Sequence, residues 1–338
     1  MRQPASQTDG ARRGERGAAL ATVLVMVAVM SILAIAVTDA ARFSIQRTSN
    51  QTQMDQTRWY LLGAESYAVS RINQALRLDQ ASSRDLAEWV GRTITLPLDE
   101  GAMQITIRDG SNCFNLNGLA QQAESGPLVA SEDGETRFAQ LLNLVGVPTG
   151  RALAASLADW IDADSLPSLS GAEDEAYGGS RAVYLPPNHL MGDVSELRSV
   201  KGFDSGAINR LASFACVRPV AAANGVSVNT LRIEQAPLLS AIFGTALPLV
   251  SAEAVIRERP PHGWVDLEHF FSDPRLSGIT LSDESRAMFT IVSRWYVIGI
   301  RVQYQGAVET SVALIDAAGG RGRVVRRVFG ANATDSLL

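Results

Sequence analysis

The sequence predicts an α+β fold: a long N-terminal helix packed on an antiparallel sheet, with α-helical modules inserted between the first strand and the rest. Three observations predict it. Residues 18–37 are uncharged and apolar, and they run into a proline-free helical pattern that reaches about Leu76. Residues 102–108 and 288–315 carry strand patterns. The long stretch between them reads as helices and loops. The chain has 338 residues, 46% of them hydrophobic and 19% charged, which excludes a wholly disordered chain. A single membrane-length apolar stretch excludes a multi-span protein. The formal net charge of −5 disfavours a nucleic-acid partner, because a phosphate-binding surface needs excess positive charge.

The first element is the apolar helix. Residues 18–37 contain only Thr22 and Ser31 as polar members. At 1.5 Å per residue, ~20 residues cross a ~30 Å hydrocarbon core. Arg2, Arg12, Arg13 and Arg16 precede it against Asp9 and Glu15, so the leading end stays cytoplasmic and the rest of the chain lies beyond the inner membrane. A secretory signal peptide would have a shorter apolar run and a small-residue cleavage site. A plain single-span anchor is a second reading. The third is a pilin-type signal, cut after Gly17 so that Ala18 becomes the new N-terminus and the apolar helix is kept. Beyond Val37, apolar residues recur at Phe43, Ile45, Met54, Trp59, Leu61, Leu62, Tyr67, Val69 and Ile72. From Trp59 onward their spacing predicts one buried stripe. A helix that is bare apolar in its first half and amphipathic in its second is the pilin-like architecture.

Four stretches carry a closer likeness: RGAALATVLVMVAVMSILA at the processing site, QTRWYLLGAESYA (56–68), LADWIDADS with GAEDEAY (157–177), and VSELRSVKGF (194–203). On these residues the chain resembles the minor pseudopilin K family of the type II secretion system. The resemblance implies a pilin-like fold with two inserted SAM-like, helix-hairpin-helix-like modules. It also implies a role at the tip of the periplasmic pseudopilus and in protein secretion across the outer membrane. The implied partners are the minor pseudopilins I and J, the major pseudopilin filament and the prepilin peptidase, with methylation of the new N-terminus. Most pilins have Glu at the fifth mature position, pairing with a neighbour's N-terminal amine inside the apolar bundle, where an unpaired charge is costly. Here that position is Thr22, which marks a subunit with nothing above it. The other reading of Thr22 is a tolerated polar residue bonded to its own helix.

The implied partition is a leader over 1–17, a membrane helix over 18–37, the amphipathic half-helix and first strand over 38–112, modules over 113–220 and 221–280, and the C-terminal sheet over 281–338. The short stretches FNLNGL (114–119) and VSVNTL (226–231) resemble each other, suggesting related units at about 116–220 and 230–275. Cys113 and Cys216 bracket the first unit. In an oxidising compartment they form either a staple or two buried thiols, and the sequence alone leaves both open.

Residues 159–175 hold six acids and no base: Asp159, Asp162, Asp164, Glu173, Asp174 and Glu175. Like charges this dense are either solvated or neutralised by a cation. Oxygen donors without Cys or His suit a hard cation such as Ca²⁺, and the spacing is not that of an EF-hand. The resemblance also implies Ca²⁺ here. The expected ligands are Asp162, Asp164, Glu173 and Asp174. Asp159, one turn earlier, caps or pairs instead, and Glu196 is a weaker candidate. Residues 194–214 read as a helix-hairpin-helix, which raises a membrane-tethered DNA receptor as a rival to a minor pseudopilin or minor type IV pilin. Asp193, Glu196 and Asp204 offset Arg198, Lys201 and Arg210, so no basic face emerges. His189, His262 and His269 have no partner at triad or zinc spacing, so no enzyme activity is expected. In the C-terminal part, residues 288–304 and 307–315 read as strands around a Gln305-Gly306 turn. A last strand carries Arg326 and Arg327 as edge charges.

Overall fold

In the computed structural model, residues 11–77, 90–123, 126–178, 184–222 and 225–330 are described, with no account of the side chains of 11–17. Residues 1–10 of the expected leader lie outside them. The helix α1 spans Ala11–Arg77. The chain divides into residues 1–57 and 58–338.

In the first unit, the apolar side chains from Leu20 to Val37 are exposed. The helix is long and apolar enough here to cross a membrane. Within this stretch the Thr22 hydroxyl donates to the Ala19 carbonyl at 2.9 Å and Ser31 to Val27 at 2.8 Å. Each polar group is thereby satisfied within the helix.

In the second unit, α1 presents Leu61, Ala64, Ala68 and Ile72 on one face. Three- and four-residue steps keep these on one stripe, and the two alanines let the helix sit close to the sheet. The expected stripe is corrected in one respect: Trp59 is 70% exposed and Tyr67 is also exposed. The larger aromatics are not what the sheet covers.

After α1 come β1 (Thr93–Leu98) and β2 (Gly101–Asp109). The first module opens with β3 (Phe114–Asn115) and a 3-10 turn, Leu116–Leu119. It continues through β4 (Ala120–Gln122), β5 (Leu128–Ala130), α2 (Glu132–Leu144), α3 (Gly150–Ile161), α4 (Asp174–Tyr177), α5 (Ser205–Leu211) and β6 (Ala215–Cys216). The second module comprises β7 (Val226–Ser227), α6 (Ala236–Phe243), α7 (Leu249–Arg257), α8 (Leu267–Phe271), α9 (Asp283–Ala287) and β8 (Phe289–Thr290). The chain returns through β9 (Trp295–Tyr304), β10 (Ala307–Asp316) and β11 (Arg323–Phe329). These form one antiparallel sheet in the order β1-β2-β9-β10-β11. The β9–β10 turn needs positive φ at both central residues, and Gln305 (46°) and Gly306 (86°) supply it.

Two expectations are corrected here. The strand expected from residue 288 is broken, because β8 leaves the sheet direction to pair with β7 and β9 begins only at Trp295. The second module therefore closes at Thr290, past the expected boundary at 280. The strand β1 lies outside the residues read as strand from the sequence.

Each module is tied shut by a two-residue parallel pair: β3 with β6, and β7 with β8. The repeated asparagines lie just inside. Asn117 donates to the carbonyls of Met191 and Arg218 and accepts from Met191 N–H. Asn229 donates to Trp264 and Ile291 carbonyls and accepts from Trp264 N–H. One buried amide thus satisfies three backbone groups that no helix or strand could reach. The module cores differ: Phe138, Leu142 and Leu157 centre the first, and Phe270, Phe289 and Leu239 the second. Arg137 joins the modules, bonding Asp133 at 3.0 Å, Ser285 at 3.0 Å and Glu284 at 3.4 Å.

Residues 109–115 hold modules and sheet together. The Asp109 carboxylate accepts the hydroxyls of Thr230 and Ser293 and the Ser111 N–H. The Asn112 side chain accepts from Ser227 N–H and donates to Thr230. Ser111 Oγ accepts the N–H groups of Arg294 and Trp295. Arg218, 1% exposed, donates to the Gly110 and Val217 carbonyls beside the Trp295 ring. Burial lowers its pKa to about 10, which leaves it cationic at neutral pH.

At the sheet edge the two arginines are paired. Arg327 Nε meets Glu65 of α1 at 2.6 Å in a two-pronged contact, and Arg326 bonds Asp193 of the first module. Cys113 and Cys216 are disulfide-bonded, with Cα atoms 5.8 Å apart. Closing a loop of 103 residues restricts the unfolded chain strongly. Replacing both cysteines by Ala should lower stability by about 2–5 kcal/mol in urea unfolding. Asn117→Ala should cost about 1–3 kcal/mol by the same measurement, through orphaned backbone groups.

Candidate functional site

The acidic cluster is built on the end of α3. That helix is apolar on nearly every side, and burial of Trp160 and Ile161 draws its last turn inward. Asp162 follows as the C-cap, its N–H bonded to the Ala158 carbonyl at 2.9 Å. Asp162 and Asp159 are therefore buried, at 5% and 1% exposure. Asp159 is committed to the backbone: its carboxylate accepts Ala172 N–H at 2.7 Å and Ser168 N–H at 3.2 Å. It shapes the following loop, as the capping reading expects. Gly171 is required there, because a Cβ would lie 1.9 Å from Asp159 Oδ2.

The loop then brings Asp164 and Glu173 to Asp162. Oxygens of these three carboxylates lie within 4.8 Å of one another. Asp164 accepts Leu166 N–H at 2.8 Å, and its carbonyl accepts from Asn188 at 2.6 Å. Glu173 caps α4 and is 4% exposed. Among the described residues, both of its carboxylate oxygens, and Oδ1 of Asp162, are buried without a hydrogen-bond partner. Buried carboxylate oxygens left bare are costly. Burial, then Asp164, Asp159 and Glu135, push Asp162 from 3.8 up to about 7. Burial, then Asp159, Asp162, Asp174 and Asp164, raise Glu173 from 4.5 to about 7. The rings of Trp160, Tyr177 and Tyr184 pack together at 5.5–6.2 Å. The arrangement has the chemistry of a hard-cation site: oxygen donors, converging charge, unsatisfied lone pairs.

The expected ligand Asp174 and the weaker candidate Glu196 stand apart from this group. Asp174 lies outside the three-carboxylate group, at the first position of α4. Glu196 closes a capping box instead, accepting from Gly192 N–H at 2.7 Å and Asp193 N–H at 2.9 Å. Sequence reading missed Glu135 and Asn188. Neither lies within the acidic run, and only the fold brings them near. The hairpin of residues 194–211 buries Leu197, Val200, Phe203 and Leu211 in the first core. Its Gly202, at φ 90°, turns between a 3-10 segment and α5. Packing accounts for this hairpin, with no phosphate contact needed.

The comparisons agree with one another. The family description "Type II secretion system (T2SS), protein K" matches residues 112–220 and again 226–291. The type II secretion system protein K of Pectobacterium carotovorum is 32% identical over 94% of this chain and 98% of its own length. That of Klebsiella pneumoniae is 33% identical over 94% of this chain and 97% of its own. A crystal structure of the GspK-GspI-GspJ complex from enterotoxigenic Escherichia coli contains a chain that matches with a TM-score of 0.71 at 26% identity. The match covers 84% of this chain and 99% of that one. With one N-terminal apolar helix, an inserted pair of modules and a pilin-like head, the chain belongs to the type II secretion system protein K family, a minor pseudopilin of that system.

Proposed function

We propose that this minor pseudopilin caps the tip of the periplasmic pseudopilus, anchored beforehand in the inner membrane with its head in the periplasm. The observation that carries the tip position is Thr22. It offers no carboxylate to a subunit above, and its hydroxyl is spent on the Ala19 carbonyl. Prepilin peptidase cleaves between Gly17 and Ala18, the new amine is methylated, and the apolar helix leaves the bilayer to bundle with other pseudopilins. The partners are pseudopilins I and J, supported by the complex in which the similar chain was crystallised. The positive flank of Arg2, Arg12, Arg13 and Arg16 supports the cytoplasmic leader. The work done is assembly, and no catalytic step is assigned.

Asp162, Asp164 and Glu173 fit a structural Ca²⁺, because the three carboxylates converge and buried oxygens of Asp162 and Glu173 have no partner among the described residues. The ion would supply the missing positive charge and fix a loop that has no core of its own.

N-terminal sequencing and intact mass of the protein from its native membrane should show a chain starting at a methylated Ala18. Retention of Met1 overturns the processing step. In sheared filaments the chain should number a constant few per filament whatever the filament length. A copy number that grows with length overturns the tip position.

The acidic site also sets a pH trend. Asp162 and Glu173 titrate higher in the folded, metal-free chain than in the unfolded one, so the folded state binds more protons between about pH 4 and 7. The contribution of these two groups to stability is therefore fullest below that window and falls as pH rises through about 7. After chelation, the melting temperature should be lower at pH 8 than at pH 5. Millimolar Ca²⁺ should raise it markedly at pH 8 and little at pH 5. Equal shifts at both pH values overturn the site. So does a Ca²⁺ shift undiminished in Asp162→Asn/Glu173→Gln.

A further inference from the structure

The sheet has a second face, turned away from α1. Ile105 and Ile107 of β2 are buried against α1, so Thr106 and Arg108 point the other way. Thr106 meets the Thr93 hydroxyl at 2.8 Å across β1. On β9, Ile298 and Ile300 face α1, which places Gly299 and Arg301 on the second face. Thr106 stands opposite Gly299, so Arg108 and Arg301 flank that pair on adjacent strands. Over the rows these arginines span, no strand residue on the face is acidic. Neither arginine has an ion-pair partner among the described residues, nor does Arg232, which extends from the start of the second module. The hydroxyl bond from Thr230 to Asp109 holds that segment beside the end of β2. Burial and the charge of Arg232 both lower the Arg108 pKa, as expected where cations crowd without a counter-charge.

The face is open at Gly299, while Val297, Val312 and Leu314 beside it are buried. A Cβ at Gly299 would come no nearer than 4.0 Å to anything, the nearest atom being the Thr106 carbonyl oxygen. Uncovered backbone therefore lies between two guanidiniums, one half-buried and one exposed. We propose that this face docks an extended acidic polypeptide segment, its carboxylates held by Arg108 and Arg301 with Arg232 at the rim. The two arginines lie four positions apart along the strands, about 13 Å at ~3.3 Å per residue. That matches carboxylates four residues apart on an extended chain. A half-buried guanidinium beside bare sheet backbone suits a single extended chain lying along the strands. A flat plane of lipid headgroups would meet the exposed Arg301 more readily than the half-buried Arg108. On a chain of net charge −5, such a patch also favours this orientation of approach over others.

The test uses the full-length chain in neutral detergent and a fluorescein-labelled peptide of alternating Glu and Thr, read by anisotropy. Binding should weaken about tenfold in Arg108→Gln/Arg301→Gln and by less than about twofold in Arg257→Gln, whose arginine lies on α7. Raised salt should weaken the wild type far more than the double variant. If the double variant melts early, Arg301→Gln alone serves, because Arg301 is exposed and supports nothing. Absent binding, or binding equal in the double variant, overturns the proposal. So does arginine-dependent capture of phosphatidylglycerol vesicles without capture of the peptide, which would assign the face to a membrane.

Discussion

The Asp109 carboxylate is where the head's separate parts are made into one. It stands at the end of β2, where the chain leaves the sheet for nearly two hundred residues before returning. One of its oxygens takes hydroxyls from Thr230, in the second module, and Ser293, just before β9. The other takes the Ser111 N–H and starts the first module. A long excursion from a sheet costs loop-closure entropy and leaves backbone groups without ladder partners. The segment from Asp109 to Asn115 answers both problems at once. Ser111 receives the returning strand, Asn112 receives the second module, and Asn115 receives the exit of the first by accepting Arg218 N–H. Arg218 then fills the space behind with a cation bound to carbonyl oxygens and an aromatic face.

The acidic site obeys the same economy of a few groups serving many. Its carboxylates differ in fate although they are neighbours in sequence. Asp159 finds two backbone N–H donors and is satisfied; Asp162 and Glu173 find none among the described residues and are held in close quarters. Helical geometry decides this. Asp159 lies one turn back, where the loop turns the Ser168 and Ala172 N–H groups onto it, whereas Asp162 sits at the cap, where a helix leaves carbonyls rather than amides unpaired.

Much of this was legible in the sequence. The anchor helix, the order of sheet and insertion, and the acidic run each leave a periodic or compositional trace. The asparagines of FNLNGL and VSVNTL are the clearest case: a six-residue likeness marked two side chains with nearly the same bonds in space. What was not legible depended on partners far along the chain. Nothing about Glu65 announces Arg327, 262 residues away. The break between β8 and β9 is invisible because residues 288–304 are apolar enough for one strand, and only the pairing of β8 with β7 divides them. Trp59 misled for the opposite reason, since hydrophobicity suggested burial while the sheet demanded small residues at the contact.

The adjacent arginines of β11 have a mechanical consequence. Because strand side chains alternate, Arg327 grips the helix from one face and Arg326 grips the first module from the other. A pull on α1 at Glu65 is passed through a single peptide unit to the module, and the ladder to β10 shares the load along its length. Tension on the helix is therefore shared between this ion pair and the apolar packing beneath it. The strand works as a tie-bar, so that helix and module move together under force rather than peeling apart.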